Sequence, residues 1–331
     1  MGGRIGLVLG STVGPEHLRE TARTAESAGF DELWLSEDFF FSGGIGGAEI
    51  VLSATNTINV GLGVVSALVR HPALLAMELA TLDRAHPGRL LPGIGLGVPA
   101  WMRQMALMPA SPLAAVRECL SMVKRLLAGE RVTETGQVFS ADDIHLVYPP
   151  EQPVQLRLGV SGPKMLQLSG ELADGSILSV AAGTKYLGWA RRQVDEGRRR
   201  GGREDEHEIT VFAIYSVDED GERARHRARS TLAFYKAAGG RNALTDAAGV
   251  SEALGEMLTR GGADLVAAEM PDDWVEELTV AGTPGEVASK IERLYDNGAD
   301  SVALVPVDAF RLEQVIATTT KNVLPRLSSK R

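Results

Sequence analysis

Disulfides are excluded at once, because the 331-residue chain has a single cysteine, Cys119. It sits in an apolar helical repeat with Leu113, Val116, Leu120, Val123 and Leu127, where a thiol serves as a small buried hydrophobe. So little cysteine suits a reducing, cytoplasmic compartment. Positive charge is short as well: 34 Lys and Arg stand against 43 Asp and Glu, a net charge of −9. That argues against non-specific partnership with nucleic acid or an anionic membrane. The one basic cluster, Arg198 to Arg203, follows a helical pattern and precedes a strand, so it reads as a solvated helix end. No stretch approaches the ~20 apolar residues of a membrane span, and the apolar run near the N-terminus is too short for a signal peptide. His-x-x-x-His pairs and cysteine clusters for a metal are missing, as is a Gly-x-Ser-x-Gly nucleophile elbow. An enzyme without metal or covalent nucleophile needs a borrowed reagent, and a redox cofactor fills that gap.

What is present is an alternation. Short β-type runs at Ile5–Leu9, Glu32–Leu35, Asn59–Val65, Leu90–Leu96, Leu156–Val160, Ser176–Val180, Ile209–Val217 and Ser301–Val305 are each followed by a helical pattern. Helix signals punctuate them: Gly29 stops the first helix and Pro72 opens the third. Eight such units predict a single α/β domain over residues 1–331, a (β/α)8 TIM barrel. A doubly wound open sheet is the other possibility, but Leu9-Gly10-Ser11-Thr12 is not the glycine-rich turn such a fold carries after its first strand. Two segments break the rhythm and are expected as insertions flanking the pocket, a hairpin near 130–153 (β-type pieces Val132–Thr135, Val138-Phe139 and Ile144–Val147 around Gly136-Gln137) and a mostly helical stretch near 235–282.

Barrel chemistry sits at the C-terminal ends of the strands. After the second strand come Glu37 and Asp38, then three phenylalanines. Such carboxylates bind a ring N–H or donate a proton if burial raises their pKa; the ordinary alternative is a helix cap or salt bridge. After the third come Gly63, Val64 and Val65, then Arg70 and His71, which read as structural. After the fourth, Gly95 and Gly97 let a ligand ring come close to backbone. After the fifth, Ser161, Gly162 and Pro163 open a helix whose free N–H groups suit a phosphate, with a plain serine cap as the alternative. Tyr215, Phe234, Tyr235, Trp274 and Trp101 are candidates to line the pocket, each with ordinary core as its alternative.

Taken in order, Ala28 to Asp38, Arg70-His71-Pro72, Gly88-Arg89 leading to Gly95-Leu96-Gly97, and Gly162-Pro163-Lys164-Met165-Leu166 with Ala173-Asp174-Gly175 resemble the bacterial luciferase-like superfamily. The branch it is most similar to uses the deazaflavin coenzyme F420, and the last two segments look most like its methylenetetrahydromethanopterin reductases. The resemblance covers residues 4 to about 180 well. It implies the same barrel, a deazaflavin ring at the strand ends, and a bulge with a non-proline cis peptide at Gly63–Val64 backing that ring. It implies that Asp38 meets the polar edge of the ring, that Ser161, Gly162 and Pro163 hold the phosphate, and that Ser179, Val180 and Ala181 lie beside it. It also implies a homodimer. Departures stand at Asp38, where many relatives carry histidine, and at Val8 and at Pro99 or Ala100, where relatives carry glutamates.

The expectation is therefore a coenzyme F420-dependent oxidoreductase, a reductase delivering hydride to a C=N or C=C bond of a small-molecule substrate. Glu37 or Asp38 would handle the proton. The alternatives are an FMN-dependent monooxygenase and a barrel that binds flavin without turnover.

Overall fold

The structure, a computed structural model, describes residues 3–308 and 311–328. In chain order the elements are β1 (Arg4–Leu9), α1 (Pro15–Ser27), β2 (Glu32–Leu35), α2 (Gly44–Ala54), β3 (Asn59–Ser66), α3 (Pro72–Ala85), β4 (Leu90–Gly95), α4 (Pro99–Gln104) and α5 (Pro112–Leu127). A hairpin follows, β5 (Val132–Thr135) and β6 (Ser140–Ile144), then β7 (Arg157–Val160), α6 (Pro163–Leu172), β8 (Gly175–Leu178), α7 (Thr184–Gly201) and β9 (Glu208–Val217). The remainder comprises α8 (Gly221–Gly239), α9 (Ala243–Ala248), α10 (Ser251–Glu269), α11 (Asp272–Leu278), β10 (Val280–Gly282), α12 (Pro284–Asp296), β11 (Ser301–Pro306) and α13 (Leu312–Asn322).

Eight strands of the main sheet run parallel around the barrel in the order β1-β2-β3-β4-β7-β8-β9-β11, β11 pairs back onto β1 to close it, and short β10 adds parallel to β9 as a ninth. A parallel sheet covered on both faces needs near-continuous apolar strands, and β2 and β8 are buried at every residue. Helices lay an apolar stripe on the outside: α5 buries Ala115, Val116, Cys119, Leu120, Met122, Val123, Leu126 and Leu127. Each such leucine or valine stabilises by about 1.5–3 kcal/mol when fully removed from water. Among the described residues no helix is long and apolar enough to cross a membrane.

The barrel interior is packed, not open. Trp34 meets Phe212 edge-on, ring centroids 5.5 Å apart, in one cluster with Val8, Ile177 and Ala303. Below it, at the N-terminal mouth, Arg4 bridges Glu32 (2.7 Å) and Glu208 (2.9 Å), and Arg157 reaches Glu208. The second oxygen of Glu32 accepts Trp34 Nε1–H at 2.8 Å and Ser301 Oγ–H at 2.6 Å. Buried charges persist only when so paired, and this plug leaves the C-terminal mouth as the face open to ligands.

Two sequence expectations need correction. The return strand of the hairpin is Ser140–Ile144, which shares only Ile144 with the expected β-type piece Ile144–Val147. The Glu118 carboxylate of α5 accepts from the amides of Gln137, Val138 and Phe139 at 2.8–3.0 Å, which fixes the turn early and starts the return strand at once. The second irregular segment does not begin at 235, which lies within α8; the elements added to the βα alternation are α9, α10, α11 and β10, over 243–282.

Candidate active site

The β1 and β2 ends meet first. Ser11 Oγ donates to Asp38 Oδ2 at 2.6 Å, a partnership across 27 residues that only barrel closure brings about. Glu37, next in the chain, turns the other way. Its two oxygens take Arg70 Nη1 and Nη2 at 2.9 and 2.7 Å, and further accept from the amides of Gly44 (3.3 Å) and Ser66 (3.4 Å). With its side chain 6% exposed and both oxygens held this way, Glu37 acts as a positioning residue, joining the ends of β2 and β3. Arg70 and His71 are structural, as the sequence indicates: His71 Nδ1 accepts from the Ala73 amide at 3.2 Å to cap α3.

The β3 end supplies a ledge. The Gly63–Val64 peptide is cis, and the pairing of β3 with β4 shifts register between Leu62 and Val65. Val64 thereby points into the barrel mouth above Trp34 and Phe212. A Cβ on Gly95 would stand 2.5 Å from Val64 Cγ2, and one on Gly159 2.7 Å from Val64 Cγ1. Gly95 therefore makes room for Val64, where the sequence suggested room for a ring. Gly97 is required for its own backbone, at φ +90°, and Val65 is buried in the wall behind.

At the β7 end, α6 begins without a side-chain cap. Its N-cap is Gly162, so Ser161 is not the capping residue, and Pro163 fills the first turn. A Cβ on Gly162 would meet nothing within 4 Å. Tyr186 Oη donates to the Ser161 carbonyl at 2.7 Å and steadies this loop. An uncapped N-terminus with free space before it attracts an anion. The next helix contrasts: at the start of α7, the Glu277 carboxylate of α11 accepts from Thr184 Oγ1 at 3.0 Å. Between the two lie Ser179, Val180 and Ala181, the last a non-glycine residue at φ +63° and almost fully buried.

A cover completes the mouth. Helices α8, α10 and α11 pack through Leu232, Leu254, Trp274 and Leu278 onto Ala181 and Ile214. Trp274 and Tyr215 belong to core, Tyr215 Oη meeting Thr319 at 2.7 Å. Phe234 and Tyr235 are exposed, as are Phe40 and Phe41, with Phe40 at φ +72°. Trp101 meets Phe39 in a tilted ring contact, centroids 5.9 Å apart. Burial, and after it the charge of Asp38, raises the Tyr235 phenol above its ordinary range. Sequence reasoning missed Ser11 and short α4; the position of Ser11 just after a strand was its only signal.

The family model described as luciferase-like monooxygenase matches residues 2–301. The 5,10-methylenetetrahydromethanopterin reductase of Archaeoglobus fulgidus is 29% identical, over 92% of this chain and 94% of its own. An F420-dependent glucose-6-phosphate dehydrogenase of Nakamurella multipartita is 31% identical over 65% of this chain and 68% of its own. Among solved structures, the coenzyme F420 dependent tetrahydromethanopterin reductase from Methanopyrus kandleri superposes with a TM-score of 0.86 at 24% identity, covering 99% of this chain and all of that one. These agree with the closed barrel found here, and the chain belongs to the luciferase-like monooxygenase family.

Proposed function

We propose that this protein is a coenzyme F420-dependent oxidoreductase, working as a reductase on a C=N or C=C bond of a small organic substrate. The observation that carries the reading is the uncapped start of α6, open in front of Gly162 and on the same mouth as the Val64 ledge. A flat ring needs a shaped apolar backing, a phosphate needs free amides, and a redox carrier with both parts fits these residues. That two relatives are named as F420-dependent or as a methylenetetrahydromethanopterin reductase supports the deazaflavin over FMN.

A bound deazaflavin supplies the hydride. The chain's own part is to hold and to shield. Ser161, Gly162 and Pro163 would take the phosphate and Gly63 and Val64 the ring, with Ser179, Val180 and Ala181 alongside, while Val65 and Gly95 support the ledge from behind. The cover of α8, α10 and α11 keeps water from the mouth. Asp38, fixed by Ser11, would hold a proton position at the ring's polar edge; Glu37, its neighbour in the chain, is anchored by Arg70. Val8 and Pro99 have no acid–base chemistry of their own, so the reading gives the proton to Asp38.

The test is binding followed by fluorescence. Purified protein is expected to bind coenzyme F420 at micromolar concentration and to bind FMN far more weakly. Micromolar binding of FMN with none of the deazaflavin would overturn the proposal. Asp38→Ala is expected to keep coenzyme affinity within a few-fold while lowering hydride transfer by about 10²-fold or more, the range of a lost general acid.

A further inference from the structure

Two lysines of the described chain are buried, Lys236 at 4% and Lys290 at 5% exposure. Lys290 has the partners a buried ammonium requires: Glu276 Oε2 at 2.7 Å and the Ala281 carbonyl at 2.8 Å. Lys236 has no hydrogen bond or ion pair from its side chain to any described residue, and burial alone lowers it, to about 8. Among the described residues its nitrogen is not one of the sealed, unpartnered polar atoms, so the stem is buried while the ammonium keeps an opening to water or a ligand, and no described group uses its charge.

Its position says what could use it. The buried face of α8 runs Ala224, Ala228, Leu232, Lys236 at four-residue spacing, the period of one helix face. Ala228 and Leu232 pack with Ala181, Ile214 and Val180 at the strand ends. Lys236 is the next step along that stripe, and its neighbour Tyr235 feels the charge of Asp38. Lys236 therefore continues the inward face of the cover helix, one turn beyond the residues that meet the strand ends.

We propose that Lys236 is an anion-holding residue of the barrel mouth, its ammonium being the counter-charge for a phosphate or carboxylate of a bound ligand. The anion belongs either to the coenzyme or to the substrate. The coenzyme arm rests on the F420 reading given above.

The test uses the full chain with Lys236→Met and Lys236→Arg. Acetic anhydride labelling of Lys236, read by mass spectrometry, is followed in the free protein, with coenzyme F420, and with inorganic phosphate added to the coenzyme-saturated protein. Affinities are measured for coenzyme F420 and for the same deazaflavin cut back to its ribityl chain, without phosphate. If the coenzyme bears the anion, it protects Lys236. Lys236→Met then loses at least about tenfold in coenzyme affinity, keeps its affinity for the truncated form, and is rescued by Lys236→Arg. If the substrate bears it, coenzyme affinity is unchanged in Lys236→Met, and inorganic phosphate protects Lys236 in the loaded protein. In both cases the ligand-free Lys236→Met protein melts higher than wild type, because an unpaired charge on a buried stem is gone. Labelling indifferent to coenzyme and to phosphate, with a lower melting temperature in Lys236→Met, would show a packing residue and overturn the proposal. Failure of wild type to bind coenzyme F420 would sink the F420 reading alone, since phosphate protection, then measured without coenzyme, still decides on Lys236.

Discussion

Val64 and the glycines beneath it are coupled through space. Gly95→Ala puts a methyl 2.5 Å from Val64 Cγ2, and overpacking of that kind costs about 1–3 kcal/mol. Val64→Ala removes the obstructing methyls at a cost of about 1 kcal/mol, as the site is partly open. The double variant is expected to be less destabilised than the sum by about 1–2 kcal/mol, read from urea midpoints; simple additivity would mean the two residues do not touch. Glu37 and Arg70 are coupled through charge instead. Arg70→Met leaves a nearly buried carboxylate facing no cation, and a loss of about 3–5 kcal/mol is expected. A loss under about 1 kcal/mol would assign the pair to the class of surface bridges. The Glu37 and Asp38 signal was legible in sequence as two carboxylates at a strand end. Their division of labour was not, because Ser11 and Arg70 lie 27 and 33 residues away and meet them only in the closed barrel.

At the scale of elements, legibility followed the strength of local signals. α3 and α12 begin with Pro at the first turn and a side-chain cap, His71 and Thr283, and such starts are readable directly. α4 is a six-residue helix with a single buried side chain, Met102, too short for any period to emerge. The return strand of the hairpin was misplaced because Glu118, on another element, chooses the turn. The same local logic makes α6 a sharp test of the phosphate position. Gly162 has extended backbone, φ −92° and ψ 161°, and open space at its Cβ, so Gly162→Asp can cap the helix itself. That variant is expected to gain a few tenths of a kcal/mol in stability. It should lose at least about tenfold in affinity for coenzyme F420, as its carboxylate takes up the amides and repels the phosphate, and should keep its affinity for the phosphate-free deazaflavin. Equal losses for both ligands would move the phosphate elsewhere.

For the whole molecule, the sequence shows a barrel but not the polar construction of its closed end. Beside the Arg4–Glu32–Glu208–Arg157 plug, a buried chain runs from Ser169 Oγ to Ser176 Oγ at 2.8 Å and on to His207 Nε2 at 2.9 Å. Burial, followed by the charges of Arg198 and Arg203, lowers the His207 pKa to about 4. The unfolded chain, with an ordinary imidazole near 6.5, therefore binds more protons than the fold between those two values. Stability is full above about pH 6.5 and falls as the pH drops toward about 4, by roughly 3 kcal/mol for this one group. Asp174 and Glu208, whose pKa values are lowered despite burial by Lys124 and Arg203 and by Arg157 and Arg4 respectively, lose their contribution only at still lower pH. His207→Gln keeps an acceptor for Ser176 and removes the titration. Its denaturation midpoint should be flat from pH 6.5 to 4.5, where the wild type declines, and the two proteins should fall together below that window. An unchanged slope in the variant would mean that acid sensitivity arises in another part of the barrel.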